Sequence, residues 1–75
     1  MENEYADYSK HKVLCRFTKK KSPYKVMFVT DDPDEWFIDV VYHKKNGQVH
    51  DSSRIIEKDM ETWKHWLVSN GWESI

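Results

Sequence analysis

The stretch "WFIDVVYHKKNGQVHDSSRII", residues 36–56, decides the fold of this 75-residue chain. At its centre stands Asn46-Gly47, the strongest short signal for a two-residue hairpin turn of type I′. Apolar and β-branched residues flank the turn on both sides, as is typical of strands. We therefore predict a third strand over 36–43 and a fourth over 48–56, joined as a hairpin.

The register that this turn sets is informative because it brings compatible side chains together. It places one pair of opposite charges and one apolar pair across the two strands, and both kinds of pair stabilise a sheet. It also places two histidines face to face. The three pairs are Asp39 with Arg54, Ile38 with Ile55, and His43 with His50.

Two earlier strands are predicted from side-chain alternation. Residues 12–18, "KVLCRFT", and 24–30, "YKVMFVT", alternate in polarity with a period of two. The Ser-Pro pair at 22–23 and the Asp-Pro pair at 32–33 suit the first two positions of type I turns. These turns would make the four strands an antiparallel meander.

A helix is predicted after the fourth strand. Asp59 is placed to act as its N-cap, and Gly71 marks its end, with Trp72 positioned for the hydrophobic contact of a Schellman motif. An apolar stripe at helical spacing predicts the face that packs on the sheet. The stripe consists of Met60, Trp63, Trp66 and Leu67.

The predicted fold class is therefore α+β, with a four-stranded antiparallel meander and one C-terminal helix on one face (β-β-β-β-α). We expect residues 11–75 to form a single domain and residues 1–10 to be a frayed segment, because the latter show no clear period. The lone Cys15 excludes an internal disulfide, so the stability must come from the core.

The composition excludes several classes of protein. The charged fraction is 33% but the net charge is only −1, which argues against a generally basic nucleic-acid coat or an acidic DNA mimic. No apolar run approaches the ~20 residues that span a bilayer, so we expect no membrane partner. The single cysteine favours a reducing compartment, and we expect a soluble, cytoplasmic protein.

The charges are predicted to be polarised along the sheet. Alternate turns of a meander lie at opposite ends, so the first and third turns should form one lysine-rich end and the acidic turn 31–35 should lie at the other. The lysine-rich end can attract phosphates, and an aromatic side chain beside it can stack on a base. The alternative is that exposed turns carry lysine for solubility alone. The candidate nucleic-acid residues are Lys19, Lys20, Lys21, Tyr24, Lys25, Lys44 and Lys45.

Both faces of the sheet carry apolar side chains, but a single helix can cover only one. We expect Trp36, Ile38, Val40, Tyr42, Val49 and Ile55 to face the helix. Leu14 and Val29 are assigned to the other face, where uncovered apolar groups predict an interface with a protein partner or a second copy. The candidate partner-binding residues on that face are Met27, Phe37, Asp39, Val41, Arg54 and Ile56.

The sequence offers only weak signals for a catalytic or metal-binding site. Cys15 alternates with Val13 and Phe17, which favours a buried structural thiol over a nucleophile. His43 and His50 could supply two metal ligands, but two ligands do not make a site. Both glycines are explained by a turn or a cap, so there is no phosphate-binding loop. We predict no enzyme, no metal and no cofactor.

The β-β-β-β-α layout resembles, in size and style, small phage-encoded and mobile-element proteins that bind and inhibit a host factor. This resemblance implies a non-enzymatic inhibitor or adaptor that docks a host protein through the uncovered sheet face, with homodimerisation as another use of that face. The alternative function is nonspecific nucleic-acid binding through the lysine-rich end.

Overall fold

The described residues form five strands and one α-helix. The computed structural model describes Tyr8 and residues 10–75, so the predicted frayed segment 1–10 lies almost wholly outside the described residues. In chain order the elements are β1 (Lys12–Thr18), β2 (Tyr24–Thr30), β3 (Phe37–Lys44), β4 (Val49–Ile56), a 3₁₀ turn (Glu57–Asp59), α1 (Met60–Ser69) and β5 (Glu73–Ser74).

The sheet is an antiparallel meander with the strand order β4-β3-β2-β1-β5. The predicted α+β fold is confirmed, and the C-terminal tail adds a fifth, two-residue strand beside β1. Phe17 pairs with Ser74, and the backbone N–H of Ile75 donates to the carbonyl of Arg16 at 3.0 Å. The tail therefore occupies part of the sheet edge that β1 would otherwise expose.

The hairpin between β3 and β4 differs from the predicted type I′ turn. Gly47 is the only loop residue with a positive φ, at 94°, and its N–H donates to the carbonyl of Lys44 at 2.9 Å. A type I′ turn needs positive φ at both central residues, whereas a three-residue loop ending in a left-handed glycine does not. The loop thus shifts the register by one residue.

A bulge at His50 then restores the predicted register. His43 pairs with Val49, and the next pair along the ladder is Tyr42 with Asp51. The predicted pairs of Asp39 with Arg54 and Ile38 with Ile55 are confirmed. The predicted pairing of His43 with His50 is wrong because the bulge removes His50 from the ladder.

The other two turns also depend on local backbone geometry. The first turn closes between Lys19 and Ser22, where the Ser22 N–H donates to the Lys19 carbonyl at 3.1 Å and Lys21 takes a left-handed φ of 66°. It therefore precedes the predicted Ser-Pro position. The second turn starts at Asp32 as predicted, because the Glu35 N–H donates to the Asp32 carbonyl at 2.9 Å.

The helix ends as predicted but begins differently. The Asp59 side chain makes no capping hydrogen bond, because the preceding 3₁₀ turn already gives this residue a helical conformation. At the other end, the Gly71 N–H donates to Val68 and the Trp72 N–H donates to Leu67. These two bonds define a Schellman motif, and they turn Trp72 back toward the sheet.

The core lies between the sheet and α1. Its buried members are apolar side chains from β1, β2, β3, the helix and the residue that follows the cap. They are Phe17, Val26, Phe28, Ile38, Val40, Leu67 and Trp72. Leu14, predicted for the other face, packs against this core instead, because a bulge in β1 shifts the register between Val13 and Cys15.

Three residues predicted for the helix side are not in its core. Trp36 is 64% exposed and Trp66 is 52% exposed, since Trp36 precedes the β3 ladder and Trp66 lies on the edge of the helical stripe. Val49 pairs with His43 because the three-residue loop shifts the register there, so Val49 lies on the face away from the helix. The helix consequently leaves the side chains of β4 largely exposed on its own side of the sheet.

Candidate functional site

The sheet face that points away from α1, here called the second face, has a buried centre. Val29 and Val41 have no exposed surface, so the prediction that Val41 is accessible to a partner is wrong. In the described residues, the side chains of Tyr8 and His11 lie on this face and line one concavity with Val13, Arg16 and Met27. The Tyr8 and His11 rings contact each other edge to face, with their centroids 5.0 Å apart.

The margin of the second face remains open where β3 and β4 meet the acidic end. Phe37 and Ile56 lie directly opposite each other and are 49% and 38% exposed. The Arg54 Nε atom donates to Asp39 Oδ1 at 3.1 Å, and the guanidinium carbon lies 6.0 Å from the centre of the Phe37 ring. The structure therefore assembles Phe37, Asp39, Arg54 and Ile56 into one patch, here called the margin patch.

Charge and geometry hold the margin patch in place. The hydrogen bond from Arg54 to Asp39, followed by the charge of that carboxylate, raises the pKa of the guanidinium above its ordinary value. Asp39 is half-buried in the strand, so it fixes a side chain that is otherwise exposed. A cation on the face of an aromatic ring is favourable. Arg54 thus covers one side of Phe37 and leaves the rest of its ring open.

Met27 is the remaining candidate partner-binding residue, and it stands apart from the margin patch. It is half-buried and lies opposite Val41 on one side and Arg16 on the other. Its surroundings include Tyr8 and His11. Met27 therefore belongs to the covered part of the second face.

The lysine-rich end exists as predicted. Strand pairing places Lys25 beside both Thr18 and His43, so the first and third turns share one end of the sheet. Four lysines line a single open concavity of about 510 Å³ at this end, which we call the lysine concavity. They are Lys19, Lys21, Lys25 and Lys45.

The other members of the predicted nucleic-acid set contribute less to the lysine concavity. Lys20 and Lys44 are exposed but do not line it. The Tyr24 ring is already stacked on the His50 ring, with centroids 4.7 Å apart, so one of its faces is occupied. The Lys19 Nζ atom lies 5.8 Å from the centre of the Trp72 ring, so one lysine of the concavity lies beside a residue of the core.

Lysine also compensates charge at the opposite, acidic end. The Lys12 Nζ atom lies 2.7 Å from Glu35 Oε2. By contrast, the lysines of the concavity have no ion pair within the described part of the chain. The positive end is therefore less compensated than the negative end.

An aromatic groove on the helix side was not anticipated from the sequence. It is lined by Tyr42, Thr62, Trp63 and Trp66 and encloses about 310 Å³. The two indoles meet edge to face with centroids 6.3 Å apart. Two tryptophans at i and i+3 were the available signal, but helical periodicity alone assigned both of them to the core.

The residues considered for catalysis or metal binding have different neighbours in the fold. Cys15 is a free, half-buried thiol, and desolvation is the main cause that raises its pKa. His43 Nδ1 is hydrogen-bonded to the Lys44 carbonyl, whereas His50 stacks on Tyr24. Among Tyr8 and residues 10–75, no three His, Cys, Asp or Glu side chains are grouped as metal ligands would be.

Comparisons with known proteins add no relatives. The chain matches no family model, no curated protein and no solved structure. Within the described residues, none of the helical structure has the length and apolar character needed to cross a membrane.

Proposed function

We propose that the chain is a non-enzymatic protein-binding module that docks its partner through the margin patch. The observation that carries this proposal is the exposed pair of Phe37 and Ile56, set opposite each other on two adjacent strands. Aromatic side chains that combine with an arginine are typical of the residues that dominate binding at protein interfaces.

The arrangement around the pair supports a specific interface rather than a scattered apolar surface. The ion pair between Arg54 and Asp39 borders the Phe37 ring and is formed before any partner arrives, which lowers the ordering cost of binding. Neighbouring acidic residues of the 31–35 turn give the patch a polar rim. A buried apolar anchor inside such a rim is the usual anatomy of an interface.

An inhibitor or adaptor of the kind that phages and mobile elements encode fits this size and design, with a host protein as the partner. Its expected place of action is the cytoplasm, where a lone cysteine such as Cys15 stays reduced. A second copy of the chain is the alternative occupant of the margin patch. Sedimentation equilibrium over a range of protein concentrations distinguishes the two, because only self-association depends on the concentration of this chain alone.

The test is affinity capture from a bacterial lysate, with and without nuclease treatment, using the native chain and two variants. Phe37→Glu places a charge at the centre of the margin patch, and Val68→Glu places the same charge on an exposed position of α1. We expect a stoichiometric protein to be captured by the native chain and by Val68→Glu, and to be lost with Phe37→Glu. Circular dichroism establishes that both variants are folded.

Capture of the same protein by folded Phe37→Glu would show that the margin patch is not the docking surface. If the native chain sediments as a dimer and Phe37→Glu as a monomer, the patch joins two copies instead. If a captured protein is lost on nuclease treatment, nucleic acid links it to the chain, and the lysine concavity becomes the favoured binding site.

Nonspecific nucleic-acid binding is the second candidate function, and the lysine concavity favours it. Four uncompensated lysines facing one space produce a local positive potential that attracts phosphate groups. Base-specific recognition is not expected, because the two arginines lie elsewhere and Arg54 is paired with Asp39. The expected ligand is a single or double strand bound through its backbone.

The salt dependence of binding tests this second function. Affinity for a single-stranded oligonucleotide is measured over a range of salt concentrations for the native chain and for Lys21→Gln/Lys25→Gln/Lys45→Gln. Each lost phosphate contact should flatten the log–log slope by about 0.7, so the triple variant should lose about 2. An unchanged slope, or an equal change in a control with Lys10→Gln, Lys12→Gln and Lys58→Gln, would reject the concavity as the site.

A further inference from the structure

The aromatic groove on the helix side is open although three aromatic rings line it. Trp66 is 52% exposed, and Tyr42 and Trp63 are half-buried with their inner sides against the core. The groove lies where α1 passes β3 and leaves β4 uncovered. It presents the edge-to-face pair of Trp63 and Trp66 and the Tyr42 ring around one space of about 310 Å³.

A carboxylate lies beside the Tyr42 ring. Asp51 lies directly opposite Tyr42 across the β3–β4 ladder, so both side chains project from the same side of the sheet at adjacent positions. Burial and then the Asp51 charge raise the pKa of Tyr42. Asp51 Oδ1 accepts the Ser52 N–H at 2.9 Å, and Asp51 forms no ion pair within the described residues.

The lysine of the helix does not pair with this carboxylate. Lys64 is paired with Glu61 at 3.2 Å, and it influences the thiol of Cys15, toward β1 rather than toward β4. The space beside Tyr42 therefore combines electron-rich ring faces with an uncompensated negative charge. Both features attract a cation and disfavour an anion.

We propose that the aromatic groove receives the cationic side chain of a lysine or arginine from a partner protein. The charged group lies beside the Tyr42 ring, where Asp51 balances it, while its methylene stem packs along the rings of Trp63 and Trp66. This inference rests on the proposed protein-binding function for the source of the side chain. The groove itself lies on the opposite side of the sheet from Phe37, so the two surfaces can be tested separately.

The test uses two short peptides that differ in one charge. Acetyl-Gly-Lys-Gly-amide and acetyl-Gly-norleucine-Gly-amide are titrated into the ¹⁵N-labelled native chain, and the indole N–H signals of the four tryptophans are followed by NMR. We expect the lysine peptide to shift the Trp63 and Trp66 signals in a saturable way. The norleucine peptide should bind about fivefold or more weakly, since it lacks the cation.

Variants locate the site and separate its two components. Trp66→Ala should weaken the lysine peptide by about five- to thirtyfold, and Asp51→Asn should weaken it while leaving the norleucine peptide unchanged. Trp36→Ala is the matched control, because Trp36 is also an exposed tryptophan but lies outside the groove. Its affinity for the lysine peptide should equal that of the native chain.

The proposal is overturned if both peptides bind equally, if Asp51→Asn has no effect, or if the shifts map to the acidic turn at 31–35. These results do not bear on the margin patch, because the peptides report on the groove without the partner. Conversely, Phe37→Glu should leave the peptide titration unchanged. Failure of the groove and failure of the protein-binding function are therefore distinguishable.

Discussion

The Leu67 carbonyl accepts the backbone N–H of Trp72 at 3.0 Å, and both side chains lie in the same core. The turn that ends α1 is thus also the turn that inserts a tryptophan under the sheet. Trp72 in turn contacts Tyr42 edge to face, with their ring centroids 6.2 Å apart. The end of the helix consequently supports the wall of the aromatic groove.

Gly71 makes this turn possible, and its replacement should be costly. Its φ of +93° is one that residues with a Cβ rarely adopt, so Gly71→Ala should destabilise the chain by about 1–2 kcal/mol. Gly71→Asn should lose less, because asparagine tolerates this conformation better. Urea denaturation measures both, with Ser69→Ala as a control inside the helix. A native-like midpoint for Gly71→Ala would contradict the role assigned to the turn.

Neighbouring helix positions should differ sharply in their response to truncation. Leu67 has no exposed surface, whereas Val68 is largely exposed. Leu67→Ala should cost about 2–5 kcal/mol, out of a total that, for 75 residues, is about 4–11 kcal/mol. Val68→Ala should change stability by less than about 0.5 kcal/mol.

Thermal unfolding followed by circular dichroism measures this difference. The Leu67→Ala chain should melt at a clearly lower temperature than the native chain, while Val68→Ala should melt close to it. Similar losses in the two variants would mean that the helix is not packed through the face that carries Leu67.

Thr30 should be sensitive to the loss of its hydroxyl group alone. It is buried, its Oγ1 donates to the Phe37 carbonyl at 2.7 Å, and the same oxygen accepts the Asp32 N–H at 3.0 Å. Thr30→Val keeps the shape but leaves these groups without their partner, at a cost of about 1–3 kcal/mol. Chemical denaturation measures it, and the exposed Thr62→Val serves as control. Equal stability of the two variants would refute the structural role of this hydroxyl.

Cys15 should make stability depend on pH in the alkaline range. Desolvation raises its pKa in the folded state, so the folded chain favours the protonated thiol. This contribution is fully present below the ordinary pKa of cysteine, about 8.5, and is lost as the pH rises through the raised value. The free energy of unfolding should therefore fall above about pH 8.5, and Cys15→Ala should show a smaller fall.

The reaction of Cys15 with a thiol reagent provides an independent check. The thiolate is the reactive form, so the rate should reach half its maximum at a higher pH than for a cysteine in an unstructured peptide. A half-maximal pH at or below that of the peptide would contradict the raised pKa.

Sequence alternation was sufficient to predict most of the fold. The predicted bounds of β1 and β2 are confirmed, and so are the pairs of Asp39 with Arg54 and Ile38 with Ile55. These features were predictable because strand periodicity and cross-strand pairing favour the same register. The Schellman motif was predictable for the same reason, since Gly71 and Trp72 stand at the positions that it requires.

The wrong predictions have two causes. Two local irregularities of the backbone cancel each other's register shift, and some side chains are buried or exposed by contacts between residues far apart in the sequence. The three-residue loop and the bulge at His50 shift the register in opposite directions. The pairs beyond the bulge therefore match the prediction, although neither the loop nor the bulge was predicted.

Strand periodicity assigned Val41 to the face away from the helix but could not predict that it is buried there, nor that Tyr8 and His11 approach Met27 on the same face. The exposure of Trp66 depends on how far one helix reaches across the sheet. The aromatic groove therefore could not be predicted from the stripe alone.

The two edge strands of the sheet, β1 and β4, differ in how much of their backbone can pair with a further strand. On one side, the tail covers β1 from Arg16 to Thr18 and a bulge interrupts the rest at Leu14. On the other side, no described strand pairs with the outer edge of β4, which runs regularly from Asp51 to Ile56. A second copy that extends the sheet is therefore expected at β4, where two β4 edges can pair antiparallel about a two-fold axis. Such a pairing uses the β4 edge of both copies, so it ends at two chains.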